Sequence, residues 1–221
     1  MSMPSRALGA RILGVLSVLL AVVLTTGQGA YAASKTVRDA TGDVYSLTGD
    51  TPTKVSGPSG DITSVTTTHT RHTVRIRVQA RHLNLDQTLL VAKVKTGPTG
   101  PSYFFNGTAD IGMRMALMTK GQAHLIVCPG ISMRFRPARG YVMAVIPRTC
   151  LGDPRWVQAG AALATTDSII KTLADDNFDP MSDGSDGSTG TVDIAGVGTI
   201  STAQMNAPTV PLPLGPRVHV G

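Results

Sequence analysis

The chain has 221 residues and a net charge of +6, from 20 Lys+Arg against 14 acids that are all aspartate. Without glutamate, and with 24 Gly and 14 Pro, it is poor in helix formers and rich in turn formers, which excludes an all-helical fold as the first expectation. Aromatic residues make up only 4% of the chain and do not interleave with its cations, which speaks against a nucleic-acid partner.

The first thirty-odd residues read as a secretory signal peptide with a helical apolar segment. Arg6 and Arg11 supply the positive start, and Ile12 to Leu24 form an apolar run interrupted only by Gly14 and Ser17. The small residues Ala30 and Ala32 then bracket Tyr31, which predicts cleavage after Ala32, with Ala33 as the neighbouring choice. A spanning helix needs about 20 apolar residues; this run has 13 and is followed by glycines, not a basic stop. The expected product is therefore secreted, with no transmembrane anchor after cleavage. Residues 33–203 are expected to form one β-sandwich domain and residues 204–221 a flexible C-terminal tail.

After a Thr-, Ser-, Gly- and Pro-rich connection from Gly42 to Gly60, alternation takes over. In His72 to Ala80 the apolar Val74, Ile76 and Val78 share one face, while Thr73, Arg75, Arg77 and Gln79 share the other, which predicts a half-buried strand. The β-branched segment Asp61 to Thr70 precedes it across a short gap, so the two read as a hairpin. Further strands are expected at Thr88–Thr96, Ser102–Phe105, Gly112–Thr119, Gln122–Val127, Met133–Arg136, Tyr141–Ile146 and Trp156–Ala162. Glycine- and proline-bearing turns separate most of them. Gly190 to Ile200 offers one more. About 8–11 short antiparallel strands at this spacing predict an all-β fold, a single sandwich or barrel, with the sandwich preferred.

Cys128 and Cys150 are the only cysteines, and an even count in an exported chain predicts a disulfide between them. If the three segments from Gln122 to Ile146 ran up, down and up, both cysteines would finish at the same end of that meander.

The charge is unevenly placed: Asp175 to Asp193 carries six aspartates and no cation. Within it, Asp175, Asp176, Asp179, Asp183 and Asp186 are the candidate ligands for one calcium ion, because calcium takes several oxygens from a flexible loop. The segment lacks the closing glutamate of an EF-hand and the repeats of a β-roll, so a solvated loop is the competing reading for residues 175–190. Asp39, Asp43 and Asp61 form a second acidic set at Gly-Asp corners, read chiefly as turn-stabilising residues with a metal or ligand role as the alternative. His69 and His72 flank the expected hairpin turn, with His82 and His124 elsewhere; exposed turn residues are the expectation, since no third zinc ligand is identifiable.

Arg71, Arg75, Arg77 and Arg81, joined by Lys93 and Lys95 if the next strand lies alongside, make a cationic strip suited to an anionic cell-wall polymer, polysaccharide or headgroup. Pro147 to Val157 (PRTCLGDPRWV) is the densest motif: Cys150 pins it, Gly152 and Pro154 turn it, and Trp156 is expected to anchor core packing, with sugar stacking as the alternative. The absence of a GxSxG elbow and of HExxH argues against the commonest hydrolases.

The layout D-A-T-G-D-V early, G-D-I opening a strand, H-T-V-R-I-R-V next and P-R-T-C-L-G-D-P-R-W-V late resembles secreted proteins of actinobacteria. Over Arg38 to Val157 it is also similar to DOMON-like and family 9 carbohydrate-binding β-sandwiches. That resemblance implies a jelly-roll-like sandwich of a class that binds sugar, haem or calcium. The aromatic sugar platform and the haem-ligand pattern of those modules are not recognisable here, so the resemblance carries the fold alone. The expectation is a secreted, non-enzymatic binding module of the cell envelope; the alternative is a secreted hydrolase or a hydrolase inhibitor.

Overall fold

The computed structural model describes residues 32–46, 53–55, 60–83, 88–110, 113–121, 124–166, 190–194 and 212–221. The expected signal segment and the five aspartates of the acidic stretch, Asp175, Asp176, Asp179, Asp183 and Asp186, lie outside the described residues. The strands are β1 (Ala33–Arg38), β2 (Tyr45–Ser46), β3 (Thr53–Lys54), β4 (Asp61–His69), β5 (Thr73–Arg81), β6 (Thr88–Lys95) and β7 (Ser102–Asp110). They continue with β8 (Met113–Lys120), β9 (His124–Leu125), β10 (Ser132–Arg136), β11 (Tyr141–Pro147), β12 (Trp156–Thr166), β13 (Gly190–Ile194) and β14 (Val218–His219).

Every pairing among them is antiparallel, and they divide into two sheets. One has the order β1-β4-β5-β11-β10; the other runs β3-β2-β13-β12-β6-β7-β8-β9, with β14 pairing on β12. The fold is an all-β sandwich, as the alternation predicts. In β5 the apolar positions Val74, Ile76 and Val78 are fully buried while Arg75 and Arg77 are exposed, because one face meets the opposite sheet and the other meets water. The core gathers both inner faces, with Ile62, Ile76, Phe135 and Ile146 from the first sheet and Leu90, Phe105, Met118 and Leu163 from the second. Packing is close enough to require glycine where β7 meets β10: a Cβ at Gly107 would sit 2.7 Å from the Met133 sulfur and 2.8 Å from the Phe105 ring.

Three sequence expectations change. Among the described residues 124–127, the expected first strand of a meander is reduced to His124 and Leu125, which pair with β8 of the second sheet, whereas β10 and β11 belong to the first. Leu125 and Val127 are 63% and 88% exposed, and only Ile126 of this apolar run packs against the core. The cysteines do pair, with an S–S distance of 2.08 Å. Their bridge joins two crossovers instead: Cys128 lies between β9 and β10, where the chain passes from the second sheet to the first. Cys150 lies in the 3-10 turn Arg148–Leu151 between β11 and β12, where the chain passes back.

The C-terminal residues are not a loose tail over 212–221. Val218 and Leu212 are buried, and β14 pairs Trp156 with His219 and Val157 with Val218. The chain comes so close to β12 that a Cβ on Gly160 would collide with the Pro213 carbonyl. Finally, β1 occupies an edge that carries no alternating apolar signal, each residue from Ala33 to Arg38 registering with β4.

Candidate anionic-ligand face

The outer face of the first sheet is built by residue parity. Because Val74, Ile76 and Val78 point inward, Arg75, Arg77, Gln79 and Arg81 must point outward along β5, and Arg71 continues the line in the turn before it. Neighbouring strands set the rows. One row runs Thr36, Thr66, Arg77, Met143, Arg134; the next toward one end runs Arg38, Ser64, Gln79, Tyr141, Arg136; the next toward the other runs Ser34, Thr68, Arg75, Val145, Ser132.

The columns therefore differ in chemistry. The β1–β4 side presents hydroxyls that pair with one another, Thr36 with Thr66 at 2.9 Å and Ser34 with Thr68 at 3.1 Å. Beside it stands the guanidinium column of β5, then the less polar column Tyr141, Met143 and Val145 of β11. A second guanidinium pair, Arg134 and Arg136, stands on the edge strand β10. With a residue repeat of about 7 Å along a strand and about 5 Å between strands, the β5 and β10 columns lie roughly 10 Å apart.

Apart from Arg81, the described arginines of this face form no ion pair with an acid. Arg77 stacks on the Tyr141 ring at 4.1 Å from its centroid and donates to the Gln79 side-chain oxygen at 3.0 Å. Gln79 in turn donates to the Arg139 carbonyl, which ties the column to the β10–β11 turn. Arg38, Arg75, Arg77, Arg134 and Arg136 are all exposed. Among the described outward positions of this sheet only Asp61 carries a carboxylate, at the far corner, where it lies 3.9 Å from Arg81. A planar guanidinium in such a setting offers forked donors suited to phosphate or carboxylate.

The expected strip is thus brought together in part. Arg71, Arg75, Arg77 and Arg81 follow one strand, but Lys93 and Lys95 do not extend it. They sit on β6, which belongs to the other sheet, and Lys93 lies over the Phe104 ring. Arg134, Arg136 and Arg38 take their place. The alternation S-M-R-F-R at 132–136 was the available signal for the first two, but only the β5–β11–β10 order puts them beside β5.

The remaining candidates resolve into structural parts. The histidines do not converge. His72, His82 and His124 are exposed, whereas His69 is fully buried, contrary to the expectation of an exposed turn residue, because it ends β4 on the inward face under β14. The Pro147–Val157 motif is a clamp: Arg148 donates to the carbonyls of Pro154 at 3.1 Å, Asp153 at 2.9 Å and Arg71 at 3.4 Å. It thereby holds a turn in which Gly152 and Asp153 both have positive φ. Trp156 is half-buried, outside the core cluster, with Arg217 stacked 4.5 Å over its ring. That stacking occupies one face of the ring.

A cavity of about 50 Å³ between β1 and the C-terminal segment is lined by Val37, Val65, Ala159 and Pro213 among others, and contains no carboxylate or imidazole. Among the described residues no three His, Cys or Asp side chains form a metal-binding group, and no helix is long and apolar enough to cross a membrane. No protein-family model matches the chain, and neither the curated proteins nor the solved structures contain a match.

Proposed function

We propose that this protein is an exported, non-enzymatic binding module that holds an anionic polymer of the cell envelope on the outer face of its five-stranded sheet. The observation that carries the reading is the pair of arginine columns on β5 and β10, exposed and free of interleaved carboxylates. Two parallel lines of guanidinium groups flanking a less polar strip suit an extended chain bearing repeated phosphates or carboxylates. The disulfide and the N-terminal pattern support export, since disulfides persist in oxidising compartments.

Retention of the purified protein on cell-wall fractions and on anionic and neutral polysaccharides, across salt concentrations, tests this. Exposed charges are screened over about 10 Å at 0.1 M salt. The expected result is retention on the anionic fractions at low salt and release as salt rises. Equal retention on neutral polysaccharide, or none on any fraction at low salt, contradicts it.

A further inference from the structure

The loop between β1 and β2 carries a charge that the arginine face does not use. Asp43 is only 2% exposed, and among the described residues neither oxygen of its carboxylate has a hydrogen-bond partner. Asp61, at the start of β4, is 5% exposed and belongs to the same corner: the Gly42 amide donates to its Oδ1 at 2.9 Å. Gly42 adopts a positive φ of 75°, which bends the loop so that Asp43 follows directly behind that contact. The loop is anchored from the other side by the Asp39 amide, which donates to the Thr63 carbonyl at 3.0 Å, while Asp39 Oδ1 accepts from the Ala40 amide.

A buried carboxylate without donors is costly unless it is protonated or meets a cation. Burial, the largest effect, holds the Asp43 pKa above the ordinary aspartate value, and the neighbouring charge of Asp61 acts in the same direction, with that of Lys54 opposing. Among the described residues no cation settles the charge: Lys54 makes no ion pair with Asp43, and Arg81 reaches only Asp61, at 3.9 Å from its Oδ2. Two neighbouring carboxylates match the charge of one divalent ion. Hard oxygen donors on a glycine-bent loop suit calcium, which accepts backbone carbonyls and water in its remaining positions.

We propose that Asp43 and Asp61 bind one calcium-class divalent cation, which fastens the β1–β2 loop to the start of β4. With two carboxylates, the affinity belongs to the weak extracellular range of about 10⁻⁴–10⁻³ M. The site borders the corner of the arginine face, where Asp61 lies 3.9 Å from Arg81.

The test is thermal unfolding and calorimetry of the purified protein, stripped with chelator and titrated with calcium or magnesium chloride to roughly ten times that range. Three proteins are compared: wild type, D43N, and a variant with Asp175, Asp176, Asp179, Asp183 and Asp186 all changed to Asn. Wild type and the five-fold variant are expected to gain several degrees in Tm with calcium and less with magnesium. D43N, an isostere that removes the buried charge, is expected to melt no lower than chelated wild type and to bind calcium at least about tenfold more weakly. A wild type that does not respond to calcium, a D43N that keeps the full response, or a response lost in the five-fold variant overturns the proposal.

Discussion

His69 and Val218, 149 residues apart in the chain, are joined by a hydrogen bond in which the imidazole Nδ1 donates to the Val218 carbonyl at 3.1 Å. The donor role fixes the tautomer: Nε2 carries the lone pair, and it is buried without a partner among the described residues. Protonating Nε2 would place an N–H where no acceptor waits. Burial, followed by the Val218 bond that opposes it and by the charges of Arg148 and His219, leaves the His69 pKa below the usual imidazole value.

The sign of the pH dependence follows. The unfolded chain takes up a proton near pH 6.5, whereas the folded chain resists until lower pH, so acid favours unfolding. This contribution is complete above about pH 6.5 and is lost as pH falls through that value toward the depressed folded pKa. Thermal melts between about pH 7.5 and pH 5 should show Tm declining on acidification. H69L should lower Tm at neutral pH, by about 1–3 kcal/mol of stability, because the Val218 carbonyl loses its donor. It should also flatten the decline. A wild-type slope unchanged in H69L would show that another group carries it.

Gly160 tests how firmly the C-terminal segment is held. Its backbone faces the Pro213 carbonyl so closely that a methyl group cannot be inserted, and the Gly215 amide bonds to the neighbouring Ala159 carbonyl at 2.9 Å. G160A should therefore push residues 212–216 away and cost about 1–3 kcal/mol. Proteolysis should then trim the C-terminus faster than in wild type, with denaturant unfolding giving the energy. Unchanged stability and unchanged trimming would mean that the segment is not held against β12.

The disulfide makes a third prediction. Cys128 and Cys150 are separated by 22 positions, and closing a loop of that size contributes about 3 kcal/mol in the chain-entropy description. Because the bridge ties two sheet-to-sheet crossovers, the C128S/C150S double variant should keep its far-ultraviolet β signal and lose stability of that order. Its low-salt binding to anionic polymer should persist under conditions where it remains folded, since neither cysteine lies on the arginine face.

Much of the fold is legible in the residues. The β4–β5 hairpin is written in the alternation of Val74, Ile76 and Val78 with arginines, and β6, β10, β11 and most of β12 follow from the same period. What the sequence hides is long-range. The strand β1 is an edge whose exposed Ser34, Lys35 and Thr36 carry no apolar period, and β14 is too short to announce itself. The meander from Gln122 to Ile146 looks continuous locally, yet it changes sheets at Cys128. His69 reads like any turn histidine, because the strand that buries it arrives from the other end of the chain. The arginine column of β5 is visible in advance. Its partners Arg134 and Arg136 are not, since neighbours in a sheet are set by strand order and not by distance along the chain.

The most direct test of the binding account is the affinity of purified wild type and of R75Q/R77Q/R134Q/R136Q for a phosphate-bearing wall polymer, measured at several salt concentrations. All four side chains are exposed, so the variant should fold with stability close to wild type, as surface substitutions usually do. The account predicts that wild type binds and weakens steadily with salt, whereas the variant loses at least about tenfold in affinity at low salt, equivalent to about 1.4 kcal/mol, and shows a shallower salt dependence. A folded variant that binds as tightly as wild type, with the same dependence on salt, would contradict it.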